Sequence, residues 1–214
     1  IKEYHAKEPD ADLIGYINGY RGLLLGNSIS FPDNAHEYAD TLMQYGGSPI
    51  GNSRVKLTNV ESCVKNGYVK KGENPVAVAA ERLQSDGVDI LHTIGGDVTN
   101  TMASELANYL LDNGHYLTVV GLPKTVDNDV YPIARSLGAD TAAEQGAVFF
   151  ENIANENTTS TRQLLIHEVM GRHCGWLTAT TAQKYRDRLN KKTFINSMLI
   201  TKERWNIDAV YIPE

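Results

Sequence analysis

Short apolar runs alternate along the chain with stretches of helical periodicity, and glycine or asparagine marks most of the junctions. Leu117-Thr118-Val119-Val120 is short, β-branched and bounded by Gly114 and Gly121, which predicts an interior strand of a parallel sheet. Leu13 to Ile17, Ile90 to Ile94, Gln163 to Val169 and Asp208 to Ile212 read as further strands. Asn74 to Asp86 places Val76, Val78, Ala79, Ala80 and Leu83 at helical spacing and closes at Gly87, the usual residue just past a helix end. A second helix opens at Gly95-Gly96-Asp97 and runs through Met102, Leu106 and Leu110 to Asn113-Gly114. Thr141 to Asn155 is a third, Tyr185 to Lys192 forms a charge-rich, solvated helical face, and Ile1 to Glu8 reads as the end of a helix broken at Pro9-Asp10. Strand and helix thus alternate, which predicts a three-layer, Rossmann-like α/β domain with a mostly parallel sheet.

Open sheets of this kind bind ligands at the carboxyl ends of their strands, so the loops there carry the chemistry. Gly121-Leu122-Pro123-Lys124-Thr125-Val126-Asp127-Asn128-Asp129 follows the central strand. Lys124 offers a compact positive charge, Thr125 a hydroxyl, and Asp127 and Asp129 two carboxylates able to hold a metal or take a proton, the parts that phosphoryl transfer needs. A polar turn with a solvated ion pair is the competing explanation, since turns favour Pro, Asn and Asp. Gly95-Gly96-Asp97-Val98-Thr99-Asn100 joins a strand to a helix N-terminus, where free N–H groups and the helix dipole make an anion site around Gly95, Gly96, Thr99 and Asn100. Asp97 would there hold Mg²⁺ against phosphates, its competing role being an N-cap on a tight turn. Gly46 to Arg54 is a Gly/Ser loop whose backbone can approach a phosphate that Arg54 would grip with its fork of donors. Met170-Gly171-Arg172 leaves the strand end at Val169, and Arg172 suits a sugar phosphate, with Gly171 permitting close backbone approach. Gly15 to Gly26 reads as packing, and His92, His115, His167 and His173 show no paired spacing and read as structural.

Bulk properties narrow this picture. With 214 residues, 42% hydrophobic and 21% charged, the chain is an ordinary globular composition with one principal domain as the expectation. A net charge of −6 gives no basic footprint, which argues against nucleic-acid or anionic-membrane partners and requires a local cationic cluster for any anionic substrate. The two cysteines, Cys63 and Cys174, sit in no CxxC or metal-ligand spacing and read as small packing residues. No signal peptide or membrane-length apolar run is present, so the expected location is the cytoplasm.

Pro123-Lys124-Thr125-Val126-Asp127-Asn128-Asp129 resembles the signature of the phosphofructokinases, in the form used by their diphosphate-dependent branch; the ATP-dependent branch usually has glycine in place of Lys124. Ile94-Gly95-Gly96-Asp97 upstream and Met170-Gly171-Arg172 downstream agree in order and spacing. The resemblance implies phosphoryl transfer from diphosphate to the 1-hydroxyl of fructose 6-phosphate with Mg²⁺, in a homo-oligomer. Asp127 would be the base, Lys124 would neutralise the phosphoryl in flight and Asp97 would hold the metal. Thr125, Val126, Asp127, Asp129, Met170, Gly171 and Arg172 would bind the sugar phosphate. Arg162 corresponds to an arginine that reaches a neighbouring subunit's sugar phosphate. Gly95, Gly96, Thr99, Asn100 and Arg54 would bind the donor. The family's Gly-rich phosphate loop, which precedes Leu13, and its second domain have no counterpart here, so residues 1–214 read as a partial phosphofructokinase domain. Val98 departs from the pattern: diphosphate-dependent members usually carry a second aspartate there, and ATP-dependent members a glycine. An ATP-dependent enzyme or a non-catalytic sugar-phosphate-binding subunit are the rival expectations.

Overall fold

A computed structural model describes residues 1–160 and 163–213. The chain divides into two compact units, one of Ile1–Thr93 with Thr101–Gly121, the other of Ile94–Asn100 with Leu122–Glu214.

In the first unit, helix α1 (Lys2–Lys7) precedes strand β1 (Ile14–Tyr16), helix α2 (Tyr20–Leu25) and strand β2 (Ser28–Ser30), with β1 and β2 antiparallel and Ile14 opposite Ser30. Gly22 allows this turn to close, because a Cβ there would lie 2.1 Å from the Ile17 carbonyl oxygen. Leu23 and Leu24 are buried, in keeping with the packing role expected of this stretch. Helix α3 (Val60–Lys65) is capped by the Asn59 side chain. Helix α4 (Pro75–Ser85) takes the expected helix almost residue for residue. Asn74 accepts from the Val76 N–H, Pro75 opens the first turn, and Val76, Ala79, Ala80 and Leu83 are buried along one face. They join Leu57, Cys63, Leu91, Met102, Leu106 and Leu110 in the core of this unit.

Strands β3 (Ile90–Gly95) and β4 (Thr118–Pro123), with helix α5 (Asp97–Asp112) between them, form a two-stranded ladder. Thr118 N–H donates to Asp89 O and Lys124 N–H to Gly95 O, so the partners advance together and the strands run parallel. Among the described residues β4 has β3 as its one ladder neighbour, extended by a single parallel bridge from Lys124 to Leu137. The strand expected in a sheet interior is thus half-buried.

The second unit is built on helices α6 (Ala139–Asn157) and α7 (Trp176–Asn190). Ala143, Ala147 and Ala154 give α6 a low face against which Tyr185 and Leu189 bury, with Phe150 edge-on to Tyr185. The face of α7 expected to be solvated is instead tied to α6. Glu151 pairs with Arg188 at 2.8 Å and with Lys192 at 2.5 Å, and Glu144 pairs with Lys184 and Arg188 at 3.3 Å. The physical reason is spacing, since Arg188 and Lys192 lie one turn apart on the side that faces two glutamates. The hydrogen bond from Lys192 is the largest influence holding the Glu151 carboxyl below its ordinary range. Residues 163–169 and 208–212, expected as strands, form no strand and have no ladder partners among the described residues. β-Propensity expresses fit to a neighbouring strand, and Leu164 and Ile166 have none: they are 85% and 83% exposed.

Candidate active site

The second unit holds all the sequence-expected site residues except Arg54, which belongs to the first unit, and Arg162, which lies outside the described residues. The site is assembled from three chain crossings. The first is the β3–α5 turn. A Cβ on Gly95 would meet Thr99 Oγ1 at 2.4 Å, so glycine is what lets the helix start directly over the strand end. Asp97 is already the first helical residue, which places its carboxylate where the helix dipole favours negative charge. Asn100 spends its amide on the loop itself, Nδ2 donating to both Gly95 O and Gly96 O at 2.9 Å. These bonds staple the glycine turn in shape.

The second crossing is the loop that leaves β4. Lys124 N–H donates to Gly95 O at 2.7 Å, and a Cβ on Gly96 would lie 3.6 Å from Thr125 Cβ, so the two loops run side by side. Thr125 Oγ1 accepts the Asp127 N–H at 3.2 Å, and the Asp127 carbonyl accepts the Cys174 thiol at 3.1 Å. Asn128 adopts a left-handed backbone (φ 54°), its Oδ1 accepting the Ser136 N–H at 2.7 Å and its Nδ2 donating to Ala134 O at 3.2 Å. The backbone around Asp127 is fixed on every side while its half-buried carboxylate is left available. Among the described residues, no ion pair joins Lys124 to Asp127 or Asp129 within 4.0 Å. Lys124 is exposed and Asp127 half-buried.

The third crossing is Met170-Gly171-Arg172. Gly171 sits at φ 148° with the Cys174 carbonyl oxygen 2.4 Å from where a Cβ would be, and Cys174 N–H closes the turn onto Gly171 O at 2.8 Å. Arg172 takes φ 50° and, with Met170, is exposed. Cys174 therefore links this turn to the Asp127 loop, a role that its spacing to other cysteines could not disclose. Asn128 was also missed, although asparagine is the non-glycine residue most at ease at positive φ, which is the one signal the sequence offered. His167 is structural as expected: it packs against Phe150 at 5.6 Å, and burial holds its pKa below the usual histidine value.

The site thus combines a glycine turn at a helix N-terminus, a Lys/Thr/Asp loop beside it and an arginine turn tied to that loop through Cys174. The phosphofructokinase profile matches residues 3–208, and the chain belongs to that family. It is 55% identical over all 214 residues to the pyrophosphate–fructose 6-phosphate 1-phosphotransferase of Methylomonas methanica, and 52% identical to that of Mastigamoeba balamuthi. In each case it covers 100% of this chain and 52% of the relative, so the chain spans about half the length of the curated relatives it matches. The crystal structure of the pyrophosphate-dependent phosphofructokinase of Marinobacter aquaeolei superposes with a TM-score of 0.68 at 22% identity, over 85% of this chain and 43% of that one.

Proposed function

We propose that this chain carries the acceptor and catalytic loops of an enzyme that moves a phosphoryl group from diphosphate to the 1-hydroxyl of fructose 6-phosphate, giving fructose 1,6-bisphosphate and phosphate. The observation that carries this reading is Asp127: its amide and carbonyl are both engaged, and the loop that holds it runs beside the glycine turn, Gly96 lying against Thr125. The names of the relatives at 52–55% identity support the choice of donor and acceptor.

In this reading Asp127 accepts the proton of the attacking 1-hydroxyl as the new P–O bond forms and the bridging P–O bond of diphosphate breaks. Lys124 offsets the charge on the transferring group. Arg172 binds the 6-phosphate, with Thr125, Val126, Asp129, Met170 and Gly171 shaping the sugar subsite, and the Gly95-Gly96 turn with Thr99 faces the donor. Among the described residues no three His, Cys, Asp or Glu side chains cluster as a metal cage. That fits Mg²⁺, which takes one or two carboxylates and completes its shell with phosphate oxygens and water. Asp97 is the residue that would hold it, and the ion would supply charge neutralisation across the donor's phosphates. No helix among the described residues is long and apolar enough to cross a membrane. Residues 1–214 are read as one part of a longer phosphofructokinase domain.

The test is a coupled assay of fructose 1,6-bisphosphate formation, run on this chain and on its longest naturally expressed form, with diphosphate and with ATP. Diphosphate-dependent turnover by the longer form is expected; turnover with ATP alone would overturn the assignment of the donor.

A further inference from the structure

The thiol of Cys174 donates to the main-chain carbonyl of Asp127 at 3.1 Å, against 3.6 Å for the bond from the Cys63 thiol to Lys56 O. The backbone that presents it has little freedom. Cys174 N–H donates to Gly171 O at 2.8 Å, the Cys174 carbonyl oxygen lies 2.4 Å from where a Gly171 Cβ would be, and a Cβ on Gly175 would meet Ile212 Cγ2 at 2.0 Å. A second tie runs beside the first. Trp176, the first residue of α7, takes the Arg135 guanidinium over its ring at 5.5 Å, and Arg135 also pairs with Asp140 at 3.4 Å. The residue after Arg135 is Ser136, whose N–H donates to Asn128 Oδ1. The contacts therefore close a ring that leaves Asp127 through its carbonyl, passes along Cys174 to Trp176, crosses to Arg135 and returns through Ser136 to Asn128. Arg172 stands two residues before Cys174, on the same turn.

A thiol is a weak donor, so this bond adds little to stability. What it controls is direction. The carbonyl it holds belongs to the residue whose carboxylate takes the proton, and a shift of that peptide plane re-aims the carboxylate. We propose that Cys174 is a positioning residue for the reaction: its thiol couples the turn that carries Arg172 to the loop that carries Asp127, so that the base is held in register with the bound sugar phosphate, and the Arg135–Trp176 contact keeps the same ring closed. Neither residue touches the reacting atoms; both act through the Asp127 backbone. The inference deepens the function proposed above and takes from it the assignment of Asp127 as the base; it holds for either phosphoryl donor.

Steady-state kinetics of the longest naturally expressed form, with Cys174→Ala and Cys174→Ser compared, test it. Cys174→Ala should lower kcat by about tenfold and move the KM for fructose 6-phosphate by less than about twofold, because the Arg172 guanidinium is untouched. Cys174→Ser keeps a donor and should recover most of kcat. A small packing residue gives the reverse order, alanine near neutral and serine worse, and that order would overturn the proposal. Arg135→Gln should lower kcat by about threefold, again with little change in KM. A double-mutant cycle separates positioning from general support. In the Asp127→Asn background, where no base remains to be aimed, Cys174→Ala should cost less than about twofold in the residual rate; an undiminished tenfold loss there would show that Cys174 does not act through Asp127. Hydrogen exchange guards against a folding defect. Amides of residues 126–129 should exchange faster in Cys174→Ala than in Cys174→Ser or the unaltered protein, with the rest of the chain unchanged; equal exchange in all three would refute the tie. Absence of fructose 1,6-bisphosphate formation by the unaltered protein would refute the proposed function, whereas normal turnover that Cys174→Ala leaves intact would refute this inference alone.

Discussion

Asn128→Ala is the substitution that asks most of the Asp127 loop. The asparagine makes two side-chain hydrogen bonds, one partly buried to the Ser136 N–H and one exposed to Ala134 O, from a backbone at φ 54°. The buried bond is worth about 1–1.5 kcal/mol and the exposed one roughly 0.5. Forcing alanine into the left-handed region adds about 1–2 kcal/mol. The total, roughly 3 kcal/mol, is enough to displace the loop, and loosening of the carboxylate beside Asn128 should lower kcat by about 10²-fold. Asn128→Gly separates the contributions, because it loses both bonds but tolerates the backbone; it should cost about 1–2 kcal/mol less. Urea unfolding of both variants measures the stability terms, and steady-state kinetics of the longest natural form measures the catalytic one. Unfolding midpoints for Asn128→Ala within error of the unaltered protein, or equal losses in the alanine and glycine variants, would show that the left-handed clamp does not hold this loop.

Asp127→Asn should reduce kcat by roughly 10²–10⁴-fold while fructose 6-phosphate affinity, read by calorimetry, changes little; near-normal turnover would rule out this residue as the base. Val98, 37% exposed in the first turn of α5, lies beside the expected metal ligand with no charge to offer the donor. Val98→Asp should raise diphosphate-dependent kcat/KM by about 10²-fold, and an unchanged value would remove this position from donor selection. Glu151 is the pH-sensitive link between α6 and α7. Its folded pKa lies below the unfolded value of 4.5, so its stabilisation is complete above that pH and is lost as pH falls through the folded value. Glu151→Gln should therefore cost about 1–2 kcal/mol at pH 7, discounted for the partly exposed cations, and the gap in urea midpoint should close below pH 4.5; a gap independent of pH would contradict the pairing.

Elements whose stability is local were legible in the sequence. The cap at Asn74, the proline at the first turn and the stripe from Val76 to Leu83 determine α4 from within eleven residues, and the Gly95-Gly96-Asp97 turn likewise carries its own geometry. Segments that need a distant partner were not. Nothing in Gln163 to Val169 says whether a neighbour supplies the ladder, and nothing in Tyr185 to Lys192 says that Glu144 and Glu151 lie opposite its cations. Within the site, the motif spacing gave the loops and their order. The hydrogen bonds that orient them, from Asn128, Asn100 and Cys174, join residues whose proximity depends on the folded turn.

Leu164, Ile166 and Met170 stand exposed along a stretch whose backbone has no ladder partner among the described residues. An exposed apolar stretch of this kind can be drawn into pairing by any extended peptide that offers a row of amides, including the same segment of another molecule. Glu168 is the lone charged residue between Gln163 and Met170, a thin electrostatic barrier to such pairing. Solutions of this chain should therefore be limited by concentration before they are limited by heat, and a lysine introduced at Ile166 should extend their shelf life more than any change that raises the melting temperature.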